Sequence, residues 1–267
     1  MNIGFIGCGN MAQAIIGGII KARYVSSENI IASNPTNGKL QLIKDKDNIL
    51  TTLHNVEVAQ FADIIVLSVK PNKYGSVIEE IKDFIKPNAV VVSIAAGISI
   101  SFVEKAFGKA IKLVRVMPNT PALVGEGMSA LSFNAHVSLE EKLEVITIFE
   151  SFGKAEVLDE SLMDAVPAIS GSSPAYVFMF IEALADGAVL SGIPRDKAYK
   201  MAAQSVLGSA KMVLETGKHP GELKDNVCSP GGTTIEAVYT LENNNFRGTI
   251  MSAMESCTAK AKRMSQK

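Results

Sequence analysis

Cysteine is scarce and unpatterned, with only Cys8, Cys228 and Cys257 in a chain of 267 residues. An odd count without C-x-x-C spacing excludes a disulfide framework or a zinc ribbon and implies reduced thiols in a reducing compartment. Histidine is equally thin. His54, His136 and His219 lie outside any triad or metal-ligand spacing. Each reads as a surface or capping residue, and no metal is expected. A charge excess is also missing, since 26 Lys and Arg face 27 Asp and Glu, for a formal net charge of −1. That removes the basic footprint of a nucleic-acid or anionic-membrane binder. The local cluster Lys260, Lys262, Arg263 and Lys267 reads as a solvated helix end complementing its dipole. The longest uncharged stretches, 87–103 and 165–181, contain Gly, Ser or Pro and read as buried core rather than membrane spans. The first strand begins at once, so no signal or transit peptide is expected, and the expected address is the cytoplasm.

What is present starts at that strand. Ile3, Phe5 and Ile6 form a short apolar run. Gly7-Cys8-Gly9-Asn10-Met11-Ala12 follows and fits G-x-G-x-x-(G/A), after which Met11, Ile15, Ile16, Ile19 and Ile20 recur at helical spacing. Gly7 suits the tight turn, Gly9 lets the backbone approach a pyrophosphate, and Ala12 is small enough for helix to pack on strand. The free N–H groups and dipole at such a helix start favour phosphate.

Residues 29–33 read as a second strand, followed by Asn34-Pro35-Thr36. A site for NAD wants an acid there to bond the ribose 2′-hydroxyl, and none is present. Small hydroxyl and amide groups with Lys39 nearby favour a 2′-phosphate, hence NADP over NAD, although Asn-Pro also starts ordinary turns. Residues 62–69, 89–95 and 111–116 are near-continuous apolar runs of the kind buried on both faces of a sheet. Helical patterns separate them, for instance over 74–84, which predicts a doubly wound, mostly parallel sheet whose ligands lie off the carboxyl ends of the strands. Residues 128–133 and 155–158 are expected as edge strands, with a helix over 139–149 between them.

After residue 166 no further strand is expected. Domains are therefore drawn at 1–165, dinucleotide-binding and Rossmann-like, and 166–267, helical, for substrate binding and dimerisation. Ser173-Pro174 opens a helix running to Leu190, and Pro194 opens another ending at Gly217. The first is apolar nearly all round, broken only by Glu182 and Asp186, and predicts a homo-oligomer built through it; a central helix within a monomer is the alternative.

Near the carboxyl end, Ser229-Pro230-Gly231-Gly232-Thr233-Thr234 precedes a helix to Leu241. Glycines, hydroxyls and a helix start suit a small anion such as a carboxylate, and equally a plain capped helix. Between 155 and 194 there is no Lys, Arg or His. Dehydrogenating a hydroxyl usually needs a strong general base, whereas a protonated imine already carries the charge that accepts hydride. The chemistry tilts toward imine reduction.

With those residues in view, the chain closely resembles the pyrroline-5-carboxylate reductase family from Ile3 to its last helix. The resemblance rests on Gly4-Phe5-Ile6-Gly7-Cys8-Gly9-Asn10-Met11, His54-Asn55, Val69-Lys70-Pro71, Ser93-Ile94-Ala95-Ala96-Gly97, Met117-Pro118-Asn119-Thr120-Pro121, Ser170-Gly171-Ser172-Ser173-Pro174-Ala175-Tyr176 and Lys224-Asp225-Asn226-Val227-Cys228-Ser229-Pro230-Gly231-Gly232-Thr233-Thr234. It implies NADPH-dependent reduction of L-1-pyrroline-5-carboxylate to L-proline, the last step of proline biosynthesis, with NADH as a weaker donor. It further implies that Gly7, Cys8, Gly9, Asn10, Met11 and Ala12 hold the pyrophosphate and that Ser33 and Asn34 hold the 2′-phosphate. Asn55 would lie on the adenosine side, and Val69, Lys70, Pro71, Ala95 and Ala96 along the ribose and nicotinamide. Gly231, Gly232, Thr233 and Thr234 would grip the substrate carboxylate, with Asn226 and Glu160 at the pocket edge and the Thr234 hydroxyl near the imine nitrogen. An interlocked homodimer is implied, one subunit's helical domain completing the partner's site, with decamers in some relatives. One departure stands out: some relatives carry a glutamate where Gly217 sits. Two other readings share features of the chain. A β-hydroxyacid dehydrogenase expects a lysine base early in the first long helix after the sheet, against the cation-free stretch. A dinucleotide-sensing protein without chemistry has no need of the second anion seat.

Overall fold

The computed structural model describes residues 1–265, so Lys267 of the terminal basic cluster lies outside the described residues. In chain order the first part runs β1 (Ile3–Ile6), α1 (Asn10–Lys21), β2 (Ile30–Ser33), α2 (Asn37–Asp47), β3 (Leu50–Thr52), α3 (Asn55–Phe61), β4 (Ile64–Leu67), α4 (Tyr74–Ile81), β5 (Val90–Ser93), α5 (Ile100–Phe107), β6 (Lys112–Met117), β7 (Gly127–Phe133), α6 (Leu139–Glu150) and β8 (Gly153–Val157). The strands make one sheet in the order β3-β2-β1-β4-β5-β6-β7-β8, parallel throughout except for the β6–β7 pair. β1, β2, β4 and β5 are buried at every position, which is why their sequences are continuous apolar runs rather than alternations. One face of the sheet packs Ile3 and Phe5 against Ile15, Ile16 and Ile19 of α1 and Val145, Ile148 and Phe149 of α6. The other packs Ile6, Ile65 and Val91 against Val58 of α3, Ile78 of α4 and Val103 of α5.

The segment α2–β3–α3 is an addition to the predicted elements. Only Leu40 and Ile43 of α2 are buried, and β3 is a short, partly exposed edge strand, so neither leaves a periodic apolar signal. After β6, the side chain of Asn119 accepts the Met128 N–H at 2.8 Å and donates to the Ser170 carbonyl at 3.0 Å. It thereby ties the start of β7 to a wide helical turn over Pro167–Gly171.

Five helices follow: α7 (Ser173–Leu190), α8 (Arg195–Thr216), α9 (Pro220–Val227), α10 (Thr233–Asn243) and α11 (Phe246–Ser265). The chain divides into two compact units, Met1–Ser172 with the described residues from Ser256 onward, and Ser173–Glu255. The division falls beyond the boundary drawn at 165/166, because the Pro167–Gly171 turn packs with the first unit.

Within the second unit α7 packs on α8, an ion pair joins Arg195 to Asp186, and the Phe180 and Phe246 rings lie 6.3 Å apart. Only Ala185, Ala198 and Ala202 are buried among its residues. The expectation that 165–181 is buried core fails over its α7 part, where Phe178 is 64% and Met179 69% exposed. A central helix within a monomer is excluded on the same ground, since an apolar helix open to water needs a covering partner. By length and composition, residues 167–190 are also the one described segment apolar enough to cross a membrane.

Candidate functional site

The first helix start is built by two glycines. Gly7 has φ +98°, its N–H donates to the Ser33 carbonyl at 3.0 Å, and a Cβ there would lie 2.8 Å from the Ser68 carbonyl oxygen. This tight turn aims the chain into α1. Gly9 has an ordinary φ of −77° and caps α1 with no side chain doing so. A Cβ on Gly9 would meet nothing of this chain within 4 Å. Packing therefore leaves this position free, and the open space suits a group that approaches the backbone from outside. The N–H groups of Asn10, Met11 and Ala12 precede the first helical bond, from Gln13 N–H to Gly9 O at 3.0 Å, and no acid occupies the first turn. These features fit the pyrophosphate of a dinucleotide. Cys8 is buried, and burial pushes its thiol up, more than the Gln13 hydrogen bond and the Lys39 charge pull it down. Its contribution is backbone: the Cys8 N–H donates to Asn34 Oδ1 at 3.3 Å and its carbonyl accepts from Gln13 Nε2 at 3.2 Å.

At the end of β2, Ser33 is fully buried and donates its hydroxyl to Asn55 Oδ1 at 2.7 Å. Asn55 Nδ2 in turn donates to Glu80 Oε2 at 2.8 Å. Ser33 thus orients Asn55, while half-buried Asn34 and exposed Thr36 and Lys39 form the accessible rim beside the uncapped start of α2. Glu80 escaped the sequence reading because it arrives from α4, far from the spacing at which a ribose-binding acid is sought. At the ends of β4 and β5, Val69 is half-buried, Lys70 and Pro71 are exposed, and Ala95 and Ala96 are half-buried. All these positions lie at carboxyl ends of parallel strands, as the winding of the sheet requires.

Glu160, expected at the edge of the pocket, is engaged by residues of its own unit. Its Oε1 accepts the Ile100 N–H at 2.6 Å, at the start of α5, and lies 3.4 Å from Arg115 Nη1. Arg115, only 6% exposed, donates from Nη2 to Asp164 at 2.6 Å, and Ser265 Oγ reaches the same Asp164 oxygen at 2.9 Å. Burial pushes the Asp164 carboxyl up, but hydrogen bonds from Arg115 and Ser265 with the Arg115 charge outweigh it and hold it below its ordinary value. Arg115 gave no sequence signal, as one of two cations, with Lys112, in the otherwise apolar run 111–116.

The second helix start lies in the helical unit. Gly231 has φ +67°, and Gly232 caps α10 without a side-chain hydrogen bond, its N–H donating to the Ser229 carbonyl at 3.0 Å. Thr233 and Thr234 therefore begin α10 with uncommitted N–H groups, Thr234 half-buried and Asn226 exposed at the end of α9. His219 caps α9, its Nδ1 accepting the Gly221 N–H at 3.0 Å. Gly217 closes α8 with φ +63°. No group of three or more His, Cys, Asp or Glu among the described residues is placed to hold a metal ion.

Two family models match the chain, "Pyrroline-5-carboxylate reductase dimerisation" over residues 160–264 and "NADP oxidoreductase coenzyme F420-dependent" over residues 2–97. The pyrroline-5-carboxylate reductase of Escherichia coli is 51% identical over 264 residues, covering 99% of this chain and 98% of that protein. The solved structure of a pyrroline-5-carboxylate reductase from Coxiella burnetii superposes with a TM-score of 0.92 at 38% identity, covering 99% and 98% of the two chains. That of the Plasmodium falciparum pyrroline carboxylate reductase with NADP bound gives 0.89 at 37% identity, again covering 99% and 98%.

Proposed function

Because the chain belongs to the pyrroline-5-carboxylate reductase family, we propose that the starts of α1 and α10 are the two anion seats of one active site, contributed by different subunits. The chain reduces L-1-pyrroline-5-carboxylate to L-proline with NADPH, in proline biosynthesis. The observation that carries the cofactor half is Gly9, whose side-chain direction is open beside an uncapped helix start. When bound, NADPH supplies the hydride. The turn of Gly7, Cys8, Gly9, Asn10, Met11 and Ala12 would seat its pyrophosphate, the backbone N–H groups of Asn10, Met11 and Ala12 facing it while those of Gly7 and Cys8 stay on the Ser33 carbonyl and Asn34 Oδ1. Asn34, with Thr36 and Lys39, faces the 2′-phosphate; Ser33 and Glu80 fix Asn55 on the adenosine side. Val69, Lys70, Pro71, Ala95 and Ala96 line the ribose and nicotinamide. NADH serves as a weaker donor.

The backbone of Gly231, Gly232, Thr233 and Thr234 receives the substrate carboxylate, beside Asn226. The Thr234 hydroxyl orients the imine nitrogen. A protonated imine becomes the ring amine on gaining one hydride at carbon, so no strong base is needed and placement carries the rate. Glu160 acts at one remove, through the start of α5 and Arg115.

The protein is a homo-oligomer. We propose a dimer covered along α7, with decamers as its further assembly, and a cytoplasmic location that three unpaired cysteines support. The test mixes protein, NADPH and pyrroline-5-carboxylate and follows the nicotinamide absorbance, with proline assayed as product. Decay with proline formation is the expected result; flat absorbance with intact NADPH binding would favour a sensor without chemistry.

A further inference from the structure

β4 and β5 run in register with Leu67 opposite Ser93 and then part. The last bond between them, from Ile94 N–H to the Leu67 carbonyl, is stretched to 3.4 Å. The side chain of Tyr74, the first residue of α4, fills this fork. It is fully buried, its hydroxyl donates to the Leu67 carbonyl at 2.6 Å, and Ser93 Oγ donates to its oxygen at 3.2 Å. Both strands therefore end on one phenol oxygen. Burial pushes this phenol up to about 12, so it stays a neutral donor over the working range; bonds from Ser93 and the Ala95 and Ile94 N–H groups offset only part of the rise. A buried ring could be supplied by phenylalanine without a polar atom to satisfy. The hydroxyl is thus retained for the fork rather than for the core.

The loops leaving the fork are Ser68-Val69-Lys70-Pro71 and Ile94-Ala95-Ala96. We propose that Tyr74 is a positioning residue for hydride transfer, its hydroxyl fixing the separation of these loops and so the placement of the nicotinamide between them. This rests on the assignment of the loops made above. Tyr74 does not touch the reacting atoms. Its leverage comes from geometry, because a misplacement of about 1 Å lowers a rate roughly a hundredfold.

The test is Tyr74→Phe, with Ser93→Ala as a second variant that leaves the ring in place. Four quantities are read in each: kcat, the isotope effect with NADPH deuterated at the transferred position, inhibition by 2′,5′-ADP, and thermal unfolding. Tyr74→Phe is expected to lower kcat about tenfold or more and to raise the isotope effect on kcat. Inhibition by 2′,5′-ADP, which occupies only the adenosine half, should stay within about twofold. Ser93→Ala should move kcat in the same direction by less, and it decides the matter if Tyr74→Phe folds poorly. Unchanged kcat and isotope effect in a folded variant would overturn the proposal. So would a loss of 2′,5′-ADP binding in proportion to kcat, the mark of a merely structural role. No turnover in the unmodified protein would instead overturn the functional reading, a distinguishable failure.

Discussion

Gly7 and Gly9 answer to different constraints, although the motif writes them alike. Gly7 sits at φ +98° against the Ser68 backbone, so Gly7→Ala should destabilise the fold by about 3 kcal/mol as well as abolish cofactor binding. Gly9 has room for a methyl group. Gly9→Ala should change stability by no more than about 1 kcal/mol. It should still raise the KM for NADPH about tenfold or more, equivalent to about 1.4 kcal/mol. Thermal melts with NADPH titrations separate the two, and equal destabilisation would contradict the assignment of Gly9. Asp164 offers a second residue-level test. Its folded-state pKa is lowered, so it contributes stability above its unfolded pKa that is lost as pH falls through the folded value. Asp164→Asn should therefore cost about 2 kcal/mol at neutral pH and flatten the acid limb of the stability profile, as urea melts across pH would show. The glycines were legible because backbone chemistry is local. Arg115, Glu80 and Tyr74 were not, because their partners arrive from other elements.

At the level of elements, legibility followed burial. β1, β4, β5 and β6 announced themselves as apolar runs covered on both faces, while α2 and the edge strand β3, half in water, left no pattern. The start of α10 was legible as an anion seat and equally as a plain capped helix, and the chain alone presents it open, with no side-chain cap. Thr234→Ala distinguishes the two. Removing this hydroxyl should lower kcat by about tenfold to a hundredfold while leaving NADPH affinity within about twofold. Stopped-flow turnover and fluorescence titration would measure the pair, and an unaltered kcat would remove the hydroxyl from the mechanism. Glu160 shows the reverse limit: family likeness placed it at the pocket edge, and the fold engages its carboxylate with Ile100 and Arg115.

For the whole molecule, the helical unit sets the terms. Three buried alanines cannot stabilise the unit Ser173–Glu255, and the exposed apolar residues of α7 need a second copy to cover them. Sequence predicted that need from the composition of 174–190, but whether one subunit's α10 serves the other's α1 is a property of the assembly that no single chain contains. The most direct measurement mixes two inactive variants, Gly9→Val, blocked at the cofactor seat, and Thr234→Val, blocked at the substrate seat, after dissociation and reassociation. If each site draws its two seats from different subunits, half the dimers are mixed and each holds one intact site. The account therefore predicts recovery of about a quarter of unmodified activity. Activity no greater than the sum of the separate variants, in a preparation shown to contain mixed dimers, would contradict it.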